Sequence, residues 1–366
     1  MKPSAITTGP GASLTDPSSP PPPTSPELSA DAESLNVAPF RRIAFAAPVR
    51  TLSTLQPLRT FAAIAIDWAC IVAITLTAQR FAPLWSWPLA WLLIATRQHA
   101  LLILMHDAAH GLLLRRRSWN DAIADAFCAW PMFVRTAAYR ESHLRHHRFL
   151  NTDRDPDLVR KVTEPGGRSR WLTNRSCWCT MRELLLDIFG RGLVEMLAKL
   201  RRFQRQGAAT SADGKQPNQR SRARSLWRLA YYTAIASAIT WCQGWTTIAL
   251  FWLVPLFTFL PAILRLRSLA EHFGIAWDHE LTSARAVPTG PLQRFLFGPH
   301  WICLHLEHHL FPSVPWYHLP DLHRVLMADP EFARRAAISR GYLWGEPSVL
   351  TELSTTTPKA PWTPNG

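Results

Sequence analysis

The sequence has little charge, few acidic residues and no cysteine framework. Charged side chains make up 18% of its 366 residues, below the roughly 25% usual for a soluble globular chain. A chain of this length would ordinarily form two or three soluble domains, and this composition argues against that. Six cysteines without a regular spacing exclude a disulfide-stapled secreted module. Cys70 and Cys242 fall inside apolar runs, and Cys177-Trp-Cys179 lacks the second thiol pair of a structural zinc site. Acidic residues number 26 against 40 basic ones, a formal charge of +14 that suits nucleic acid, anionic lipid or an acidic protein. No basic face interleaved with aromatics and no nucleic-acid motif accompanies that charge, which sets nucleic acid aside. The amino terminus has no apolar core behind a basic start, so it is not a secretory signal.

What the chain does have is unevenly placed. Of 30 prolines, ten lie in the first 50 residues, and residues 1–40 read as a disordered Pro/Ser-rich tail. Apolar content is gathered into long runs, and 17 tryptophans suit a membrane–water boundary. The mean hydropathy of −0.04 therefore averages unlike segments. Two runs, at about 61–79 and 82–105, approach the roughly 20 residues needed to cross a bilayer, with only a tight connection between them. Leu229 to Leu264 holds 36 residues without a formal charge, about 54 Å as one helix and too long for one crossing. Gln243-Gly244 offers a break, giving spans at about 229–243 and 245–264. The expectation is an all-α integral membrane protein with four transmembrane helices in two hairpins. A membrane domain over 41–340 then carries a helical cap from 106–228 and 265–340, followed by a tail at 341–366.

Two further segments suit an interface. Ala126 to Val134 contains Pro131 and is too short to span. Glu183, Asp187, Arg191, Glu195 and Lys199 line one face of a helix whose other face carries Leu185, Phe189 and Leu193, an amphipathic surface helix. Residues 199–228 are strongly basic, with a helix-breaking middle that reads as a flexible loop; lipid head groups or membrane topology account for it more simply than an acidic electron donor. Basic residues flank the spans on one side: Arg115 to Arg117, Arg220 to Arg228, Arg265 and Arg267, whereas the short connections carry only Arg80. Both termini and the cap are therefore expected in the cytoplasm.

Histidines carry the chemical signal. His106 and His110 stand four apart in HDAAH; His143, His146 and His147 form HLRHH; His305, His308 and His309 form HLEHH; His272 stands alone in AEHFG. Residues at i, i+3 and i+4 share a helix face, so each cluster can aim its imidazoles at one point. At a histidine frequency of about 4%, chance supplies about 0.02 HxxHH motifs, against two in this chain. With two hairpins, all four patterns emerge on the same membrane face. Nine imidazoles exceed one tetrahedral zinc and point to two ions, although imidazole alone does not choose among Fe, Cu, Ni and Zn. Asp107, Glu271 and Glu307 adjoin the ligands and can accept their N–H bonds, and Asp155 or Asp157 in NTDRDPD can orient a ligand ring. His318 and His323, near prolines, read as surface or capping residues. Arg97 and His99 at membrane depth should face a cavity, with Asp67 a partner for Arg97.

Over about 55–330 the chain resembles the membrane fatty acid desaturase family, which includes related hydroxylases and ketolases. The likeness rests on HDAAHG, HLRHHRFLNTDRDPD and HLEHHLFPSVPWYHLPDLH. It departs at Ser268 and Cys303, where relatives often carry asparagine. The resemblance implies a four-helix anchor, a cytoplasmic cap, and a di-iron site with O2 as co-substrate. The ligands it implies are His106, His110, His143, His146, His147, His272, His305, His308 and His309. The expected reaction introduces a double bond into the acyl chain of a fatty acid or lipid. Hydroxylation or ketolation of a carotenoid or other lipid is the alternative on the same site. A histidine-rich metal transporter or sensor is the non-enzyme alternative, and it would need ligands along a path through the bilayer. No fused haem, flavin or iron–sulfur module is visible, so a separate electron donor is expected, such as a ferredoxin or a small haem cytochrome with its reductase. Arginine outnumbers lysine 35 to 5, a bias that favours a bacterial inner membrane over an endoplasmic reticulum.

Overall fold

The computed structural model describes residues 39–163, 171, 176–194, 197 and 219–355. Among these the chain is helical, with isolated β-bridges and no strand. Proline opens the first long helix, α1 (Pro57–Phe81), where its missing N–H costs no hydrogen bond. A single turn at Leu84–Ser86 leads into α2 (Trp87–His110), again with proline in its first turn. Gly111 stops α2 in a left-handed cap at φ +81°, so His106 and His110 occupy its last two turns. Then follow α3 (Thr136–Arg148), α4 (Pro156–Thr163), α5 (Cys177–Leu186) and α6 (Gln219–Trp241). After them come α7 (Trp245–His272), the short α8 (His305–Leu310) and α9 (Leu319–Met327).

Among the described residues three helices are long and apolar enough to cross a membrane: Pro57–Phe81, Leu84–His110 and Trp245–His272. The 25 residues of α1 span about 37 Å at 1.5 Å each. Its Ile66, Val72 and Leu76 are exposed, as a lipid-facing wall requires, whereas α2 is the most enclosed of the three. Helix α6 has 23 residues but begins at Gln219, ten residues before the expected span, and takes in Arg220, Arg222, Arg224 and Arg228. Those arginines keep it less apolar than the other three. The uncharged run does break at Gln243 (φ +51°) and Gly244. Helix α7 is irregular, with a wide turn at Ala249–Leu253, a distorted Thr258, and Pro255 and Pro261 within it.

Among the described residues two large apolar cores, beside a small cluster of Ala108, Leu113 and Ala124, hold these parts. One joins α1, α2 and α7 through Ile64, Ile94, Leu101, Leu104, Phe251 and Ile263. The other lies around the histidine-bearing segments and includes Leu158, Leu266, Phe273, Leu306, Leu322 and Phe332.

Several expectations change here. The spans at 82–105 and 245–264 extend to His110 and His272, so two histidine patterns ride on the membrane helices themselves. Residues 341–355 are not a tail: Tyr342, Val349 and Leu353 are buried in the second core, and Val349–Thr355 is helical. The amphipathic helix is interrupted by Gly190 at φ +92°. Its Glu183 and Asp187 are buried and turned inward, while Leu185, Phe189 and Leu193 are exposed. Glu195, Lys199, most of the basic loop and residues 1–38 lie outside the described residues.

Candidate metal centre

The nine histidines of the four sequence patterns meet in two adjoining groups. His106, His110, His143, His147 and His308 form one; His146, His272, His305 and His309 form the other, each with its candidate ligand atoms within 4.8 Å of one another. Helix α3 serves both. Its one-turn spacing sends His143 and His147 to the first group, while His146, a third of a turn away, meets the second. Helix α8 does the same with His308 against His305 and His309. The groups touch where the His147 and His309 rings stack at 4.1 Å.

The nitrogens face one another at short range. Nε2 of His143 lies 2.9 Å from that of His110 and 3.0 Å from that of His147, which is 3.1 Å from His308 Nε2. In the second group His305 Nε2 is 3.0 Å from both His272 and His309. A neutral imidazole has one N–H, so it cannot donate to two such neighbours at once. Both nitrogens of His106, and Nδ1 of His272 and His305, are buried without a hydrogen bond. Burial, reinforced by neighbouring imidazoles, lowers the pKa of His143, His147, His305, His308 and His309. These rings are neutral at pH 7 and present lone pairs. At a metal–nitrogen distance of about 2.1 Å, ligands at right angles stand about 3.0 Å apart and tetrahedral ones about 3.4 Å. The observed spacing fits a cation of higher coordination number, and the donor set fits a metal at each group.

The carboxylates divide by role. Asp155 is buried and accepts from His146 Nδ1 through both oxygens, at 2.9 and 3.0 Å, which leaves Nε2 for the metal group. It also accepts from the backbone N–H of Asn151, Asp157 and Leu158, capping α4 while it fixes the ring. Glu271 binds Arg267 at 2.5 Å and stands 3.4 Å from His305 Nδ1 without a hydrogen bond to it. Asp107 accepts from the Trp316 N–H and lies 3.5 Å from His106 Nδ1. Asp157 orients no ligand histidine. Burial would raise its carboxyl, but Lys161, His146 and Arg160 outweigh that and hold it well below the usual range.

Glu307 is fully buried and meets His323 at 2.5 Å, not a ligand ring. His323 is thus an internal partner to the third box, not a surface residue. Its spacing of 16 residues spans two separate helices, α8 and α9, so no helical period could have paired it with Glu307. His318 lies 3.4 Å from Asp321 and 3.2 Å from Gln56. Tyr139, unremarked in the sequence, stacks on His143 with ring centroids 5.1 Å apart. Asp67 does pair with Arg97, at 3.1 Å, and also with His300 at 2.7 Å. His99 is buried without a hydrogen bond, whereas an open cavity was expected. Ser268, at the first departure from relatives, accepts from Lys161, and Cys303, at the second, is buried with its thiol pushed up to about 12.

A groove of about 820 Å³ reaches this centre, with His143, His146, His272 and His305 in its lining. Residues Arg135, Ala138, Ser142 and His146 line one wall from α3 and its cap, and Pro261, Arg265, Ser268 and His272 the other from α7.

Comparison with known proteins agrees with this centre. The family described as fatty acid desaturase matches residues 83–341. The dihydrorhizobitoxine desaturase of Bradyrhizobium elkanii is 31% identical over 343 residues, 88% of this chain and 93% of that protein. The human sphingolipid delta(4)-desaturase/C4-monooxygenase DES2 is 22% identical over 254 residues, 66% of each chain. With four histidine patterns gathered into two metal-sized groups inside the matched segment, the chain belongs to the fatty acid desaturase family.

Proposed function

We propose that this protein is an O2-dependent membrane oxidoreductase that introduces a double bond into the acyl chain of a fatty acid or lipid. The observation that carries the reading is the convergence of nine imidazoles, seven buried and His110 and His147 half-buried, in two groups beside a groove. His106, His110, His143, His147 and His308 would hold one iron, and His146, His272, His305 and His309 the other. Bound there, the irons supply the O2 and one-electron chemistry that no side chain can perform on an unactivated methylene. The protein's own part is positional. Asp155 holds His146 in one tautomer, the enclosing cores keep water from the centre, and the groove walls set which carbon approaches. Four crossings in two hairpins, with α6 as the fourth, place the cap and both termini in the cytoplasm. A bacterial inner membrane and a separate ferredoxin or small haem cytochrome, with its reductase, complete the assignment.

Oxygen insertion is the second outcome of such a centre. The printed name of the human relative joins a desaturase to a monooxygenase. The test is expression in a host of defined lipid composition, followed by mass spectrometry of fatty acids and carotenoids. A product lacking two hydrogens supports desaturation, and one gaining an oxygen supports hydroxylation. A purified, iron-supplemented chain that consumes no O2 with a competent reductase would refute both.

A further inference from the structure

The end of α2 that carries His106 and His110 is gripped by the Arg140 side chain of α3. A helix cannot satisfy its own last carbonyls, and two of those at this end face the guanidinium. Arg140 Nη2 donates to the Ala108 carbonyl and Nε to the Ala109 carbonyl, both at 2.9 Å. The other edge grips Asp121, with Nη1 3.0 Å from Oδ2 and Nη2 2.5 Å from Oδ1. Asn120, fully buried, donates to the same Ala108 carbonyl and to Asp121, both at 2.9 Å, and accepts from the Leu113 N–H. One guanidinium thus ties together the end of α2, the short helix Arg117–Ala124 and α3.

Position gives this tie a bearing on the metal centre. Arg140, His143 and His147 stand at i, i+3 and i+7 on one face of α3. The guanidinium therefore precedes His143 by about 4.5 Å along the helix axis. On α2, Ala109 immediately precedes His110. The tie and the His110–His143 pair, whose Nε2 atoms lie 2.9 Å apart, are adjacent rungs between the same two helices. His110 is half-buried, so packing holds it less firmly than the buried His106, His143 and His308. The second group is anchored elsewhere: Asp155 fixes His146, and α7 and α8 bring His272, His305 and His309.

We infer that Arg140, locked by Asp121, is a positioning residue for the first metal group: it sets the end of α2 against α3 at the separation that lets His106 and His110 share an ion with His143, His147 and His308. The inference rests on the reading of the two groups as metal sites. An ordinary ion pair would stabilise the whole fold and leave the relative affinity of the two groups unchanged. Lysine at this position would keep a positive charge at the negative end of the α2 dipole. It could not bridge two carbonyls and a carboxylate at once, as the planar fork of arginine does.

The test is titration of the full-length protein in detergent with ferrous iron against a competing chelator, which reads the affinity of both groups; the His272→Ala background isolates the first. Arg140→Gln should weaken the first group about tenfold, the lower end of the range for residues that orient ligands, and leave the second unchanged. Arg140→Lys should show the same selective loss. Guanidinium ion added to Arg140→Ala should restore the affinity of the first group, a recovery that a general loss of stability would not show. Asp121→Asn, a milder change, should weaken the first group in the same direction and decides the matter where the Arg140 variants do not fold. Equal weakening of both groups overturns the inference, as does full retention by Arg140→Lys, which would make charge and not grip the cause. A wild-type chain that binds both ions beside an Arg140→Gln chain that binds them equally well overturns this inference alone. A wild-type chain that binds no metal overturns it together with the two-metal reading.

Discussion

Replacing Asp155 with asparagine isolates the charge behind one metal ligand. Asp155 meets His146 Nδ1 through both carboxylate oxygens, at 2.9 and 3.0 Å. The same side chain caps α4 by accepting from the N–H groups of Asp157 and Leu158. Asparagine caps a helix about as well as aspartate, so Asp155→Asn should alter global stability by less than about 1 kcal/mol. It removes the negative charge that makes His146 a stronger donor. Losing such a partner typically costs 10–100-fold in metal affinity, or about 1.4–2.7 kcal/mol. The loss should fall on the group of His146, His272, His305 and His309, because Asp155 touches no ring of the other. Asp155→Ala should add about 1 kcal/mol of cap loss. Metal titration with elemental analysis reads the first effect, and thermal unfolding in detergent the second. An Asp155→Asn protein that retains both ions at wild-type affinity would refute the orienting role.

Other consequences concern buried polar pairs, backbone and pH. Asp67→Ala leaves Arg97 without its buried carboxylate and should cost about 3–5 kcal/mol, read as a lowered midpoint in thermal unfolding; an unchanged midpoint would contradict the Asp67–Arg97–His300 contact. His323→Ala strands the fully buried Glu307 and should destabilise by about 1–3 kcal/mol, whereas His318→Ala, whose partner Asp321 is open to solvent, should cost less in the same assay. Gly111→Ala places a Cβ at φ +81°, a strain of about 1–2 kcal/mol, and should loosen the end of α2 that bears His110, visible as faster amide exchange there. The lowered pKa values of His143, His147, His305, His308 and His309 mean that the unfolded chain binds more protons than the metal-free fold. Their contribution is complete above the ordinary value of 6.5 and is lost as pH falls from there through the depressed values. The midpoint of the metal-free protein should therefore drop as pH is lowered from 7.5 to 5.5, and a flat profile would show those rings to be solvated.

The nine histidines were legible because their spacing is local. A metal group takes ligands four residues, about one turn, apart on one helix, and the chain carries that spacing directly in HxxxH and within each HxxHH. The break at Gln243-Gly244 was legible for a similar reason, since 36 uncharged residues are too long for one crossing and only one polar, flexible pair interrupts them. What stayed hidden depends on distant partners. Glu307 lies beside the ligands in sequence but turns to His323, a choice made by the packing of α8 on α9. Asp155 and Asp157 look equivalent in the sequence, yet Lys161 one turn later claims Asp157 and leaves Asp155 to His146. Residues 341–355 lack a strong helical period, but Tyr342, Val349 and Leu353 fill space in a core formed by segments far upstream. Division of the histidines between two groups was also unreadable, because one-residue offsets on α3 and α8 decide it.

Metal stoichiometry of the full-length protein, purified after expression in iron-supplemented medium, tests the central claim most directly. Two irons per chain are expected. His272→Ala should lower the content of its group and leave the other filled, and His110→Ala should do the converse. A wild-type chain holding one ion or none, or the same single ion lost in both variants, would contradict a two-metal centre built from these nine histidines.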